Sequence, residues 1–314
     1  MQATKKLGFC AIAFFLLSTV LAIIAAAQDK APGLNPNADP GDVFLDWHTI
    51  EKNLYANAKP YTGLSPADLE NTLPELRGLE LAQTQDQLAA ILDQVGSQAR
   101  SLLHNMPNLI AHEKLITQIQ PNGKPAGQNY EYLILLHAKE KAVQLEEYRT
   151  NEKKNKNQAV DDPMTKGFAS AWGVFYPSNQ PECKFRYLGR QKIAGRDIFV
   201  VAFAQIPEQV RFPAQVEFGG KLVGVLDQGI AWIDPTDFHI LRIRTDLLAP
   251  RPDIYLQKLS ADVHFAQLSL PQISSSLWVP DDAEVTWNFK GQSVEQRHIY
   301  SKYHLYTVKT KILP

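Results

Sequence analysis

The chain carries eight histidines. Histidine is the side chain best suited to hold a metal or move a proton near neutral pH, so any chemistry should show first in their spacing. His112-Glu113 opens the zinc-protease pattern, but the second histidine that would complete it on one helix face is absent. His298 and His304 lie six apart in a predicted strand. That puts them on one face yet ~20 Å apart at ~3.3 Å per residue, too far to share an ion. Asp161-Asp162 and Asp281-Asp282 flank predicted loops and read as turn or cap residues. Residues 167–173 contain Ser170 but not the G-x-S-x-G elbow of a nucleophilic serine. Neither a phosphate-binding loop nor a dinucleotide fingerprint occurs. On spacing, then, no residue takes a catalytic role, no metal ligand set emerges and no cofactor is expected. A hydrolase assembled from distant residues stays open as an alternative.

The totals point the same way. With 314 residues, 45% hydrophobic and 21% charged, the chain is ordinary globular material with enough apolar surface for a sizeable core. A formal net charge of -1 argues against a nucleic-acid partner, which would call for a basic excess. Of the two cysteines, Cys10 falls in the leader described next. The mature chain then holds one thiol and no internal disulfide. No motif surrounds Cys183, which reads as a bystander and not a nucleophile.

Lys5-Lys6 precede an apolar run over residues 7–27 that ends in Ala25-Ala26-Ala27. A basic start, an apolar middle and a small-residue exit make residues 1–27 a secretory signal peptide, with cleavage after Ala27. The rival is an uncleaved anchor through residues 7–27, since ~20 apolar residues also span a bilayer. Membrane contact follows in that case. Residues 28–64 are rich in Pro, Gly, Asn and Asp and read as a linker by default. The alternative there is a segment that docks through Trp47 and Tyr55. The remaining domain, residues 65–314, opens on Ser65-Pro66, a capping residue before a proline at the first helical position.

The clearest helix is predicted over residues 85–105, with Thr84 and Gln87 at capping-box spacing. Leu88, Ile91, Leu92, Val95, Ala99, Leu102, Leu103 and Met106 recur every three or four residues, the stripe of a helix laid on a core. After it come strands at regular spacing. One begins near Glu113, another covers 130–138 and the next 143–149. Residues 151–162 read as a solvated loop. The aromatic and glycine mixture at 167–177 reads as a buried short helix, with a mobile apolar lid as the alternative. A hairpin over 185–204 turns at Ile193-Ala194-Gly195-Arg196-Asp197. A three-residue loop with a bulge at Gly195 keeps Phe185, Tyr187, Phe199, Val201 and Phe203 on one face. In the hairpin around Asp234-Pro235-Thr236-Asp237, Trp232 is expected opposite Leu241 and Ile230 opposite Ile243. Further alternation at 259–267, at 284–289 and through 294–306 completes one antiparallel meander.

Tyr187-Leu188-Gly189-Arg190 through Gly195-Arg196-Asp197-Ile198-Phe199-Val200-Val201 resembles the recurrent hairpin of the bacterial lipoprotein-carrier (LolA-like) half-barrel superfamily. Gly229-Ile230-Ala231-Trp232-Ile233-Asp234-Pro235, continuing to Ile240-Leu241-Arg242-Ile243, resembles that superfamily's W-x-D strand pair. Segments of the type RTDLLAPR, LWVP and RHIYSKYHLY also make most of the mature chain similar to secreted proteins of Acidobacteria, which bring no known activity. The first resemblance implies an α+β fold in which a single curved antiparallel sheet, a half-barrel, wraps around the N-terminal amphipathic helix. It also implies a concave apolar face able to hold a lipid or the acyl chain of a lipoprotein, in the periplasm or secreted. Tyr187, Phe199, Phe203, Trp232 and Leu241 are the expected ligand-binding residues, and no enzyme activity is expected. Alternatively, the helix fills the concavity and the protein is an envelope scaffold with a protein partner.

Overall fold

The computed structural model describes residues 52–139, 142–151, 167–211, 213–218 and 221–306. The leader, Trp47, Asp161-Asp162 and the loop after Asn151 lie outside them. From Lys52 onward the stretch that reads as linker is packed structure. Helix α1 (Lys52–Tyr55) buries Tyr55, whose hydroxyl accepts from Leu226 N at 3.1 Å. A 3-10 turn at Tyr61–Gly63 buries Tyr61. Helix α2 (Pro66–Thr72) starts as its sequence dictates, with Ser65 Oγ accepting from Asp68 N at 3.2 Å. Strand β1 (Leu79–Leu81) follows, then helix α3 (Leu88–Asn105).

Helix α3 begins three residues later than the capping box requires. Its N-cap is Gln87, with no side-chain cap bond. The reason is a competing partner for Gln85, whose amide donates to Tyr187 O and accepts from Tyr187 N, both at 2.9 Å. Two bonds to a buried strand tie Gln85 down, and the chain makes a turn, with Leu88 N donating to Gln85 O at 2.9 Å, before the helix begins. The apolar stripe is as expected: Ile91, Val95, Ala99 and Leu103 are buried in one cluster with side chains of the main sheet.

The strands are β2 (Leu109–Gln120), β3 (Ala126–Lys139), β4 (Ala142–Asn151), β5 (Cys183–Ile193), β6 (Arg196–Gln205), β7 (Ala214–Phe218), β8 (Lys221–Val225), β9 (Asp227–Ile233), β10 (Ile240–Leu247), β11 (Leu256–Leu268), β12 (Leu277–Phe289) and β13 (Gln292–Leu305). Eleven of the thirteen form one large curved antiparallel sheet in the order β1-β5-β6-β9-β10-β11-β12-β13-β2-β3-β4, while β7 and β8 pair as a separate hairpin. The sheet does not close, because β1 and β4 are its edges. Its order corrects the simple meander: the last strand returns to the first long one, with Val294 opposite Ile119 and Leu305 opposite Leu109.

Two bulges decide which side chains face which way. The β5–β6 turn has two residues, since Ile193 pairs with Arg196, and not the expected three. Ala194 and Gly195 both take positive φ, 49° and 81°, as a type I′ hairpin requires. A two-residue turn on its own would split the aromatic set. The register shift between Tyr187 and Gly189 restores it, because an extra residue at Leu188 reverses the parity of everything before it. Gly189 allows this, as a Cβ there would run into the Glu80 carbonyl of β1. On β10 the expected pairing holds at Ile240 opposite Ile233 and then shifts, so that Trp232 faces Arg242 and Ile230 faces Arg244. Leu241 is the bulged residue. The alternation read along 239–246 therefore changes phase at Leu241, which corrects the single apolar face expected of that hairpin.

The sheet consequently has two buried faces. The inner face carries Tyr187, Phe199, Phe203, Ile233, Ile243, Val263, Val285 and the α3 stripe. The outer face carries Leu188, Ile198, Val200, Ile230 and Trp232 beneath Tyr61, Leu69, Leu73 and Leu76 of the N-terminal segment.

Candidate functional site

Of the five expected ligand residues, the structure brings three together. Phe199 packs edge-to-face on Tyr187 at 5.8 Å, and Phe203 meets Phe175 at 5.8 Å. Trp232 and Leu241 do not join them. Trp232 is fully buried on the outer face with Arg242 stacked 4.2 Å from its ring, and Leu241 packs into the same outer cluster. The β6–β9 register is the cause: Trp232 pairs with Val200, one residue out of phase with Phe199 opposite Ile233, and Leu241 keeps to the face of Trp232 while the bulge turns Ile243 inward.

Residues 168–182 and helix α3 cover the inner face. Phe168, Ala169, Trp172, Phe175 and Tyr176 are all buried, and Ala171–Phe175 form a 3-10 helix, which is the short buried helix read from the sequence. Gln180 ties this segment to α3, since its amide donates to Leu92 O and to Phe175 O, both at 2.9 Å. Gly96 of α3 sits against the same amide and Phe175 O, where a Cβ would crowd them. Helix and segment thus form one cap.

A ligand cavity would need ~300 Å³ or more, and among the described residues the space seen beneath that cap is far smaller. Between cap and sheet lies an apolar cavity of about 20 Å³, lined by Val95, Ala99, Leu102, Trp172, Phe265 and Trp278 among others. A space that small holds a water at most. A more open groove of about 300 Å³ runs beside β1, where Tyr187, Gly189 and Arg190 meet Leu81, Gln83 and Gln87. Its rim is largely polar.

Sequence reasoning missed a polar cluster at the other end of the inner face. Glu113 on β2 and His298 on β13 are 0% and 1% exposed. Arg149 on β4 reaches Glu113 with two nitrogens, Nη2 at 2.8 Å and Nε at short range, and His298 Nδ1 lies 2.7 Å from Glu113 Oε1. Burial on its own would raise the Glu113 carboxyl. The guanidinium and the imidazole outweigh it and hold the group at about 2. Burial pushes His298 the other way, below the ordinary imidazole value, and the charge of Arg149 adds to this against the pull of Glu113. His298 is therefore neutral.

A second carboxylate fastens the cap. Glu147, on β4, accepts from Ala169 N at 3.0 Å, Ser170 N at 3.3 Å and Ser170 Oγ at 3.0 Å, and from the Tyr132 hydroxyl. Gly167 is the residue that lets the chain pass, as a Cβ there would run into Glu147 Oε2 and the Tyr132 ring. Burial raises the Glu147 carboxyl despite these four donors. Beside the cluster, Phe168 lies edge-on to the His298 ring at 5.1 Å and Tyr132 sits 4.8 Å from Tyr300.

A parity signal for this cluster exists in the sequence. Leu109, Ala111, Glu113 and Leu115 share one phase of β2, and the structure buries all four. A charge on the apolar phase of a strand marks a buried, partnered group. His298 and His304 prove to be on opposite faces, because the register shifts between Ser301 and His304. Cys183 is buried, with its thiol pushed up by burial to about 12, which makes it inert. Among the described residues, no group of three or more His, Cys, Asp or Glu is placed to hold a metal, and no helix is long and apolar enough to cross a membrane.

No protein-family model and no curated protein matches the chain, so the likeness to acidobacterial secreted proteins gains no support. Solved structures similar to it include a domain described as an outer membrane lipoprotein-sorting protein from Vibrio parahaemolyticus, at 12% identity and a TM-score of 0.38, covering 70% of this chain and 94% of that one. A DUF1329 family protein from Desulfovibrio piger aligns at 9% identity and a TM-score of 0.40, covering 71% and 94%. A LolA superfamily protein from Nitrosomonas europaea aligns at 11% identity and a TM-score of 0.33, covering 70% and 94%.

Proposed function

We propose that this chain is an exported cell-envelope protein that binds an apolar ligand, a lipid or the acyl part of a lipoprotein, without performing chemistry on it. The site is the inner face of a half-barrel sheet curved around α3, with Tyr187, Phe199 and Phe203 on its wall. In the closed state α3 and residues 168–182 occupy that face, so a ligand enters by displacing them as one cap. The observation that carries this reading is the seam between cap and sheet. It holds an apolar cavity of about 20 Å³, and Trp172, whose ring borders it, keeps a buried Nε1 with no partner among the described residues. A buried donor left unpaired costs about 1–3 kcal/mol. An interface under selection for stability alone would have paired it.

The test is saturable binding of N-phenyl-1-naphthylamine, whose emission rises in apolar surroundings, together with native mass spectrometry of protein purified from its own host. Micromolar uptake is expected, faster in Gln180→Ala, which cuts the bond to Leu92 O that joins the segment to α3 and the bond to Phe175 O that braces the segment itself. The mature chain should begin near Gln28, which its intact mass reports. The filled inner face favours a second reading, a scaffold that holds another envelope protein. A protein that takes up neither the probe nor a host lipid belongs to that class.

A further inference from the structure

The reading above leaves open what the polar end of such a ligand would be, and the buried cluster on β13 answers that. Glu113 is held ionised by Arg149, so it offers only acceptors. At 2.7 Å from Glu113 Oε1, His298 Nδ1 must carry the imidazole proton. The same guanidinium, with Nη2 3.3 Å from that nitrogen, disfavours a second proton on the ring. Nε2 is then a bare lone pair, buried, and without a partner among the described residues. Two residues along the same face, the Tyr300 hydroxyl is also buried and unpartnered. Burial holds that phenol well above its ordinary value, so it keeps its proton and can donate. The cover over His298 is Phe168, part of the cap whose displacement admits the ligand.

We infer that this face takes an apolar molecule ending in a neutral hydroxyl, which donates to His298 Nε2 and accepts from Tyr300. The inference rests on the binding reading above and names the ligand class for that same site. The alternatives fail on charge and on donor count. A carboxylate has no proton to give Nε2 and would be desolvated beside Glu113 and Glu147. An ammonium would meet Arg149. A plain hydrocarbon leaves both orphan groups unpaired, each at the cost of a buried polar group without a partner.

The experiment is displacement of N-phenyl-1-naphthylamine from the full mature chain at pH 8 by 1-decanol and by decanoate. It is done on the wild type, His298→Phe, His298→Gln and Tyr300→Phe, with circular dichroism to verify the fold. In the wild type decanol should displace the probe at a lower concentration than decanoate. With probe affinity measured separately for each variant, His298→Phe should weaken decanol roughly tenfold after correction for any change in that affinity. His298→Gln, whose amide oxygen still accepts, should recover part of the loss. Tyr300→Phe should cost several-fold and keeps the test intact if His298→Phe does not fold. Failure of the probe to bind at all sinks the binding reading and this inference with it. Probe binding with decanol unaffected by any of the three substitutions overturns the inference alone, and would mean that buried water satisfies the two groups.

Discussion

The two faces of the sheet are both buried, yet they are finished differently. On the outer face, Trp232 Nε1 donates to Gln191 Oε1 at 2.8 Å, and the Gln191 amide donates to Glu75 O and Arg77 O at 2.7 and 3.0 Å. Tyr61 N donates to Gln228 Oε1 at 2.8 Å, and Arg244 bridges Glu75 and Asp246. Among the described residues, none of these groups is left as a buried side-chain atom without a partner. On the inner face Trp172 Nε1, His298 Nε2 and Tyr300 OH are buried without partners among the described residues. Apolar burial drives both contacts, so hydrophobicity does not tell a permanent seal from a parting one. Polar satisfaction does. A face whose hydrogen bonds are complete gains nothing by opening, whereas a face with orphan groups gains their partners when a ligand arrives.

The sharpest way to break this comparison is at Trp232. Replacing a fully buried tryptophan with alanine costs about 3–5 kcal/mol, and here it also strands the Gln191 amide oxygen. Urea unfolding of Trp232→Ala should show that loss, and the molecules that stay folded should bind N-phenyl-1-naphthylamine with unchanged affinity. A specific loss of probe binding at full fold would mean that the outer face is the ligand side. On the inner face the matching substitution is Gly167→Ala. Its methyl group would displace Glu147, which fastens Ala169 and Ser170, so we expect a loss of about 2 kcal/mol. Stopped-flow mixing should show faster probe uptake than in the wild type, and slower uptake would argue that the cap does not part at Glu147.

Much of this architecture was legible in the chain because most elements are locally consistent. The α3 stripe and the phases Leu259-Ala261-Val263-Phe265 and Val285-Trp287 point inward as read, and Ser65 caps α2 as read. What was not legible is parity over distance. A bulge adds one residue without changing composition, so nothing in the types at Leu188 or Leu241 announces it. Each bulge nonetheless decides the face of every side chain on one side of it. The return of β13 to β2 is equally silent, because both strands alternate well enough to pair elsewhere. Of the five expected site residues, Trp232 and Leu241 fall on the other face because β6 pairs with β9 one residue out of the phase that would join Trp232 to Phe199, a long-range register that no residue type announces. The Glu113, Arg149 and His298 cluster went unread because its members are 185 residues apart at the extremes. Only the apolar phase around Glu113 hinted at it.

Titration separates two carboxylates that burial treats alike. Asp227 lies at the start of β9, and burial together with the charge of Asp246 raises it from 3.8 to about 7. Because the folded state favours the proton, the associated stability is complete below about pH 4 and is lost as the pH rises through 7. Asp227→Asn removes that dependence. The variant should match the wild type near pH 4 and exceed it at pH 8 by on the order of 1–2 kcal/mol, read from thermal melts across that range. Glu113 runs opposite, since a group held at about 2 contributes stability above its unfolded value and loses it only as the pH falls through 2. A wild-type profile flat between pH 4 and 8 would contradict the Asp227 assignment.

The smallest expected effect tests how the inner face keeps its aromatic residues together. In a type I′ turn both central residues need positive φ, and Ala194 meets that at 49° with a side chain that disfavours it. Asparagine tolerates the left-handed region better, and Asn-Gly is the preferred pair for this turn. Ala194→Asn should therefore stabilise by about 0.5–1 kcal/mol, a rise of a few degrees or less in Tm. The alternative three-residue loop would leave residue 194 right-handed, where asparagine brings no gain over alanine. A neutral or lower Tm would thus favour that loop, and the bulge at Leu188 would have no parity to restore. Gly195→Val gives the complementary reading. At φ 81° with open space around its Cβ, its cost of about 1 kcal/mol or more would come from backbone strain alone. Opposite signs at two adjacent positions would fix the turn, and with it the face on which Tyr187, Phe199 and Phe203 meet.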